Sequence, residues 1–171
     1  SLAQFRKRDY DLALTGINKS IEYGHNSYGE RHRLIGRSYA LKSRILEKTR
    51  KLNEALKTSQ KALIAYSRRF HDVDIRRNPE LNDIVSYKGG LHALENKNRE
   101  LLLLLEEDPH NKELLQAAIN TNKLSIQLIG ELRKDYLHDY SKFHLLSQAM
   151  PTYEMGLRTA ILQDPTKSNP N

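Results

Sequence analysis

A chain of 171 residues with 38% apolar residues, no tryptophan and three phenylalanines suffices for one domain, provided its apolar positions are well placed. With no cysteine, the sequence excludes a disulfide framework, thiol nucleophiles and cysteine-based metal sites, and it leaves the redox compartment open. The longest apolar run, Leu101 to Leu105, is far short of the roughly 20 residues a membrane-spanning helix needs.

Leu, Lys, Glu, Ala and Arg are frequent, while Gly (8) and Pro (5) are few, so the expected fold class is all-α with a thin interior of Leu and Ala. The net charge of +7 is uneven: residues 1–77 hold 18 Lys and Arg against 8 Asp and Glu, whereas residues 78–171 hold 10 against 13. A basic half fits a nucleic-acid or acidic-peptide surface, and it equally fits helices whose solvated faces are rich in Lys and Arg. The chain opens on what reads as the middle of an element, which suggests a piece of a longer protein, and a cytoplasmic location is expected.

In chain order, residues 2–8 read as the end of a preceding helix. Tyr10, Ala13, Leu14, Ile17 and Ile21 then share one helical face, with Asp9 as N-cap and Gly24 as the stop signal. A helix is predicted from about Ser27 to Thr49, with Leu34, Ile35, Tyr39, Leu41, Ile45 and Leu46 inward. After a turn at Arg50 and Lys51, its partner repeats Leu52, Ala55, Leu56, Ser59, Ala62, Leu63 and Tyr66. Small residues at Ser43, Ala55 and Ala62 let the two backbones approach, as antiparallel hairpins in stacked repeats require.

Residues 68–85, with an Asn-Pro pair and scattered apolar residues, read as an ordered connector containing one short helical turn. Ser86 is the predicted N-cap of a helix running to about Glu106, whose first turn Gly89 and Gly90 weaken by about 1 kcal/mol each relative to Ala. Pro109 marks the next turn. The following helix, to about Leu137, presents Leu115, Ala118, Ile119, Asn122, Ser125, Ile126 and Ile129 inward, with Leu114, Leu124 and Leu128 widening the stripe. The last, from Ser141, presents Phe143, Leu146, Met150, Tyr153, Leu157 and Ala160, with a kink at Pro151; residues 164–171 read as a disordered tail.

Three second helices fall in register: Tyr10, Ala13 and Ser20; Leu52, Ala55 and Ala62; Leu115, Ala118 and Ser125. Each has a large residue, a small one three later and another small one seven after that. The copies lie 42 and 63 residues apart, against about 34 in a tetratricopeptide repeat, the surplus falling in connector and turn. KLNEALKTSQKAL resembles the second helix of such a repeat, and Tyr39, Ser43 and Leu46 sit where its first helix places aromatic, small and large residues. The order NPELNDIVSYKGGLHAL, LQAAINTNKLSIQLIGELRKDY and SKFHLLSQAMPTYEMGLRTAIL resembles the degenerate tetratricopeptide region that precedes the CHAT domain, a caspase-like peptidase module, in large bacterial multidomain proteins. Asn98, where a small residue is expected, and the tail after Gln163 depart from that pattern.

The resemblance implies a short right-handed α-solenoid over residues 1–163, with units at roughly 1–24, 27–69, 82–137 and 141–163. It implies a non-enzymatic scaffold that binds a protein or peptide or positions a neighbouring module. A CHAT peptidase needs a His and a Cys, so this Cys-free chain cannot itself be that protease. No pair of the seven histidines has the spacing of a helical metal site, no nucleophile elbow or phosphate loop occurs, and no cofactor is implied. In tetratricopeptide arrays first helices line the concave groove, which nominates Arg37, Ala40, Arg44, Glu47 and Lys48 from one unit and His92, Glu95, Asn96 and Arg99 from the next. Arg37, Arg44, Lys48 and Arg99 would hold the carboxylates of an extended acidic peptide. Binding of nucleic acid by the basic half is the alternative, and it is disfavoured because Tyr10, Tyr23, Tyr28 and Tyr39 spread over several faces rather than forming a stacking platform.

Overall fold

The structure is a computed structural model that describes residues 2–134 and 139–164, with side chains described for 9–134 and 149–164. Among these residues the protein is all-helical: α1 (Leu2–Tyr28), α2 (Arg33–Lys48), α3 (Leu52–Ala65), α4 (Tyr87–Glu107), α5 (Lys112–Lys134) and α6 (Asp139–Gln163), with one 3-10 turn at Leu81–Asp83. Each helix packs on the next, and α4 also lies against α2 and α6.

The expected break at Gly24 does not occur. Residues 2–28 form one helix, Asp9 lies inside it instead of capping it, and Gly24 serves as a contact point: a Cβ there would sit 2.8 Å from the Ile35 side chain. The stop falls at Gly29, whose φ of +76° is the left-handed conformation that glycine adopts without penalty, and whose N–H bonds back to the His25 carbonyl. As a result α2 begins at Arg33 and not near Ser27, with the His32 ring nitrogen accepting from the Leu34 N–H at 3.3 Å.

The α3 half of the α2–α3 hairpin follows the expected spacing; on α2, Ile35 and Leu46 are buried and Tyr39 and Ile45 half-buried, but Leu34 and Leu41, expected inward, are exposed. Ser43, Ser59, Ala55 and Ala62 are fully buried between the helices, and Arg50, at φ 60°, closes the turn with Lys51 N–H bonded to the Leu46 carbonyl. The Tyr66 ring at the end of α3 lies between two glycines: a Cβ at Gly36 on α2 or Gly89 on α4 would stand 2.7 or 2.5 Å from it. Gly89 thus admits the aromatic ring that joins three helices, which accounts for a residue of poor helix propensity there.

The connector is ordered, as expected, and carries the predicted short turn. Ser67 and Ile84 form an isolated antiparallel bridge, and the buried Asp83 carboxylate accepts the Arg69 and Phe70 N–H groups at 3.0 and 2.8 Å. Its two ends are thereby tied together, so α4 starts beside the end of α3, at Tyr87 directly after Ser86.

The stripe of α5 follows expectation apart from Ile126, whereas that of α6 differs from it. On α5 the buried set includes Ala117, Ala118, Thr121, Asn122, Leu124, Ser125, Leu128 and Ile129, while Ile126 is exposed. On α6 the buried residues are Ala149, Thr152, Met155 and Thr159, whereas Met150, Tyr153, Leu157 and Ala160 face outward. The reason is steric: Gly156 lies where a Cβ would be 2.6 Å from the Asn122 amide, so the small-residue face permits the closer approach to α5. Phe143 and Leu146 lie outside the residues whose side chains are described. α6 begins at Asp139 and continues through Pro151. The predicted end of α5 near Leu137 and the tail beyond Asp164 lie outside the described residues.

Candidate functional site

The nominated groove divides into an exposed part and a part consumed by packing. On α2, Arg37, Arg44 and Lys48 are exposed at steps of seven and four, which aligns them on one face. His92 is also exposed and lies 3.4 Å from the Glu95 carboxylate. The other members join helix to helix. Asn96 is buried and donates to the Ala40 carbonyl at 2.9 Å and the Ser43 hydroxyl at 3.1 Å; Arg99 pairs with Glu47 and donates to the Asn96 side-chain oxygen at 2.8 Å; Glu95 accepts from Thr152 of α6 at 3.0 Å. The polar residues of the first helices are thus what fastens α2, α4 and α6 to one another. What they leave to solvent is a strip of positive charge, because the neighbouring acid Glu47 is neutralised by Arg99.

A second polar centre lies deeper, where α3 and α4 meet the connector. Lys97 is fully buried, and its ammonium donates to Gln60 Oε1 (2.7 Å), the Arg77 carbonyl (2.7 Å) and Asn78 Oδ1 (2.8 Å). Gln60 in turn donates to the carbonyls of Asp72, Asp74 and Arg77 at 2.8, 2.9 and 3.2 Å. Burial lowers the Lys97 pKa to about 7, against the pull of Asp74, Glu100 and Asp72 toward the charged form. Two interior side chains therefore satisfy the carbonyls of a loop that has no helix or sheet to do so.

One turn along α4, Glu100 is also buried, and neither carboxyl oxygen completes a hydrogen bond. Burial pushes its pKa up to about 8; the Ser59 hydroxyl beside it pulls the other way, Glu47 raises it further, and Arg99 and Ser43 lower it. Burial thus favours the protonated, neutral form of Glu100.

The sequence reading missed Gln60, Lys97 and Glu100 as interior residues, although the signal was present. Gln60 falls between Leu56 and Leu63, and Lys97 between Leu94 and Leu101, at the three- and four-residue steps that mark an inward face.

Outside the connector, two shallow clefts flank Arg77, Asn78 and Glu80. One, of about 900 Å³, is also lined by Arg76, Asn120, Lys123 and Gln127; the other, of about 620 Å³, by Arg69, His71, Asp72 and Asp83. Their cations are largely matched. Arg76 bonds to both Asp74 and Glu113, which holds the Asp74 carboxyl down at about 2, and Arg77 lies 3.6 Å from Asp72. Among the described residues no group of three or more His, Cys, Asp or Glu could hold a metal, and no helix is long and apolar enough to cross a membrane.

No protein-family model, curated protein or solved structure matches the chain. Its own geometry defines it as an all-α protein of successively packed helices, with an ordered connector held by a buried lysine and glutamine and a basic strip along α2.

Proposed function

We propose that the chain is a non-enzymatic, tetratricopeptide-type scaffold, a short right-handed solenoid of helix hairpins that binds an acidic protein segment or peptide. In this reading it belongs to a larger polypeptide carrying an effector module of the CHAT type. The packing order supports it: each helix lies on the next, and α4 lies alongside both α2 and α6, which is how first helices of successive hairpins line one face of a repeat array.

The observation that carries the binding surface is the exposure of Arg37, Arg44 and Lys48 on one face of α2, while Glu47 is occupied by Arg99. Three cations at one- and two-turn spacing match the carboxylates of an extended chain, each through charge-assisted hydrogen bonds. The test is fluorescence anisotropy with a labelled oligoglutamate peptide and with single- and double-stranded DNA probes over a salt titration. Peptide binding that is lost in the Arg37→Glu, Arg44→Glu double variant, with helicity retained, is the expected result. Unchanged peptide binding removes the groove assignment, and salt-sensitive DNA binding that exceeds peptide binding moves the reading to nucleic acid.

A further inference from the structure

The second half of α6 carries two apolar faces, and packing uses only one. Ala149, Thr152, Met155 and Thr159 are buried, whereas Met150, Tyr153, Leu157 and Ile161 are 48, 44, 65 and 36% exposed. These four recur at steps of three, four and four, so they form one stripe along the helix. Leu12 on α1 and Val73 in the connector, by contrast, are isolated exposed side chains of the kind any surface carries.

The charges beside the stripe point to its occupant. Between Ala149 and Gln163 the helix has two charged residues, Glu154 and Arg158, opposite in sign, one turn apart and both exposed. They lie along the same border of the stripe. A partner of either net charge gains little from such a border. Two antiparallel copies of α6, related by a two-fold axis near residues 155 and 156, gain from it twice. Met150 then faces Ile161, Tyr153 faces Leu157, and Glu154 of each copy approaches Arg158 of the other. Arg158 already donates to Glu106 of α4, and its planar fork has donors left for a second carboxylate.

We propose that this stripe is a homodimer interface in which α6 packs antiparallel on α6 of a second copy. Four apolar side chains per helix make a small surface, so the dimer dissociates on dilution. Sedimentation velocity of the full chain from about 5 to about 500 µM tests this, spanning the affinity range of small interfaces. The expected result is a concentration-dependent passage from monomer to dimer. Leu157→Glu abolishes it with helicity unchanged; Glu154→Arg, which places like charges along the shared border, weakens it most at low salt; Leu12→Glu leaves it unaltered. A monomer at every concentration, growth beyond a dimer, or a dimer equally stable in Leu157→Glu and Glu154→Arg overturns the proposal, since a two-fold contact through this stripe closes at two and passes through both residues.

Discussion

Lys97 Nζ donates to Gln60 Oε1 at 2.7 Å in the interior between α4 and α3, and both side chains then reach on to the same loop. Two residues outside the connector between Ser67 and Ser86 therefore hold its middle, at the carbonyls of Asp72, Asp74 and Arg77. Replacing Lys97 with Met removes a buried charge, leaves Gln60 Oε1 without its donor, and takes the shortest bond from the Arg77 carbonyl, which keeps Gln60 at 3.2 Å, and from Asn78 Oδ1, which keeps the Thr121 hydroxyl at 3.5 Å. The expected cost is about 2–4 kcal/mol, because buried acceptors left short of donors outweigh the relief of desolvation. Urea denaturation measures the loss, and hydrogen exchange should show it concentrated in the amides of residues 69–80. A loss spread evenly over α1 to α5 would contradict the anchoring role.

The two buried ionisable groups of α4 set opposite pH limbs. Glu100 has a folded pKa of about 8 against 4.5 in an unfolded chain, so between these values the unfolded chain has released a proton that the folded one retains. Stability is accordingly complete below 4.5 and falls as pH rises toward 8. Lys97 has a folded pKa of about 7 against 10.5, so the cost of burying its charge is complete below 7 and is relieved as pH rises toward 10.5. The sum is a stability minimum between pH 7 and 8, with each limb no steeper than about 1.4 kcal/mol per pH unit. Urea midpoints at acidic, neutral and alkaline pH check this. Glu100→Gln should remove the falling limb and raise stability at neutral pH, and Lys97→Met should remove the rising limb.

Four helical glycines separate propensity from packing. Gly36→Ala and Gly89→Ala place a Cβ 2.7 and 2.5 Å from the Tyr66 ring and should destabilise by about 1–3 kcal/mol despite the better helix propensity of alanine. Gly16 and Gly130 have nothing within 4 Å of such a Cβ, so the same substitution there should stabilise by about 0.5–1 kcal/mol. Thermal melts of the four single variants give the signs, and a Gly89→Ala variant as stable as the parent would show that Tyr66 moves freely.

Much of the fold was legible because three- and four-residue spacing is a local property of the chain. The α2–α3 hairpin, with Ser43, Ser59, Ala55 and Ala62 buried between its helices, matches its sequence reading except at Leu34 and Leu41, which are exposed, and the connector has the expected short turn at Leu81–Asp83. Gly24 misled because glycine at a helix end and glycine at a helix contact look alike until the Ile35 side chain is in place. The candidate site was half legible. Arg37, Arg44 and Lys48 stand exposed on one face as their spacing indicated, but Asn96, Arg99 and Glu47 turned out to join α2 to α4, a pairing across about fifty residues that no local pattern encodes.

By itself, the sequence determined that the chain is helical, where most helices turn and which residues have small side chains. Periodicity and turn chemistry act within a few residues and need no partner. Only the tertiary structure decided which of two apolar faces of α6 is buried, and which groups Lys97 meets inside. Those outcomes depend on how closely two backbones can approach, as at Gly156 and Asn122, and on whether a distant acceptor is there to receive a buried proton.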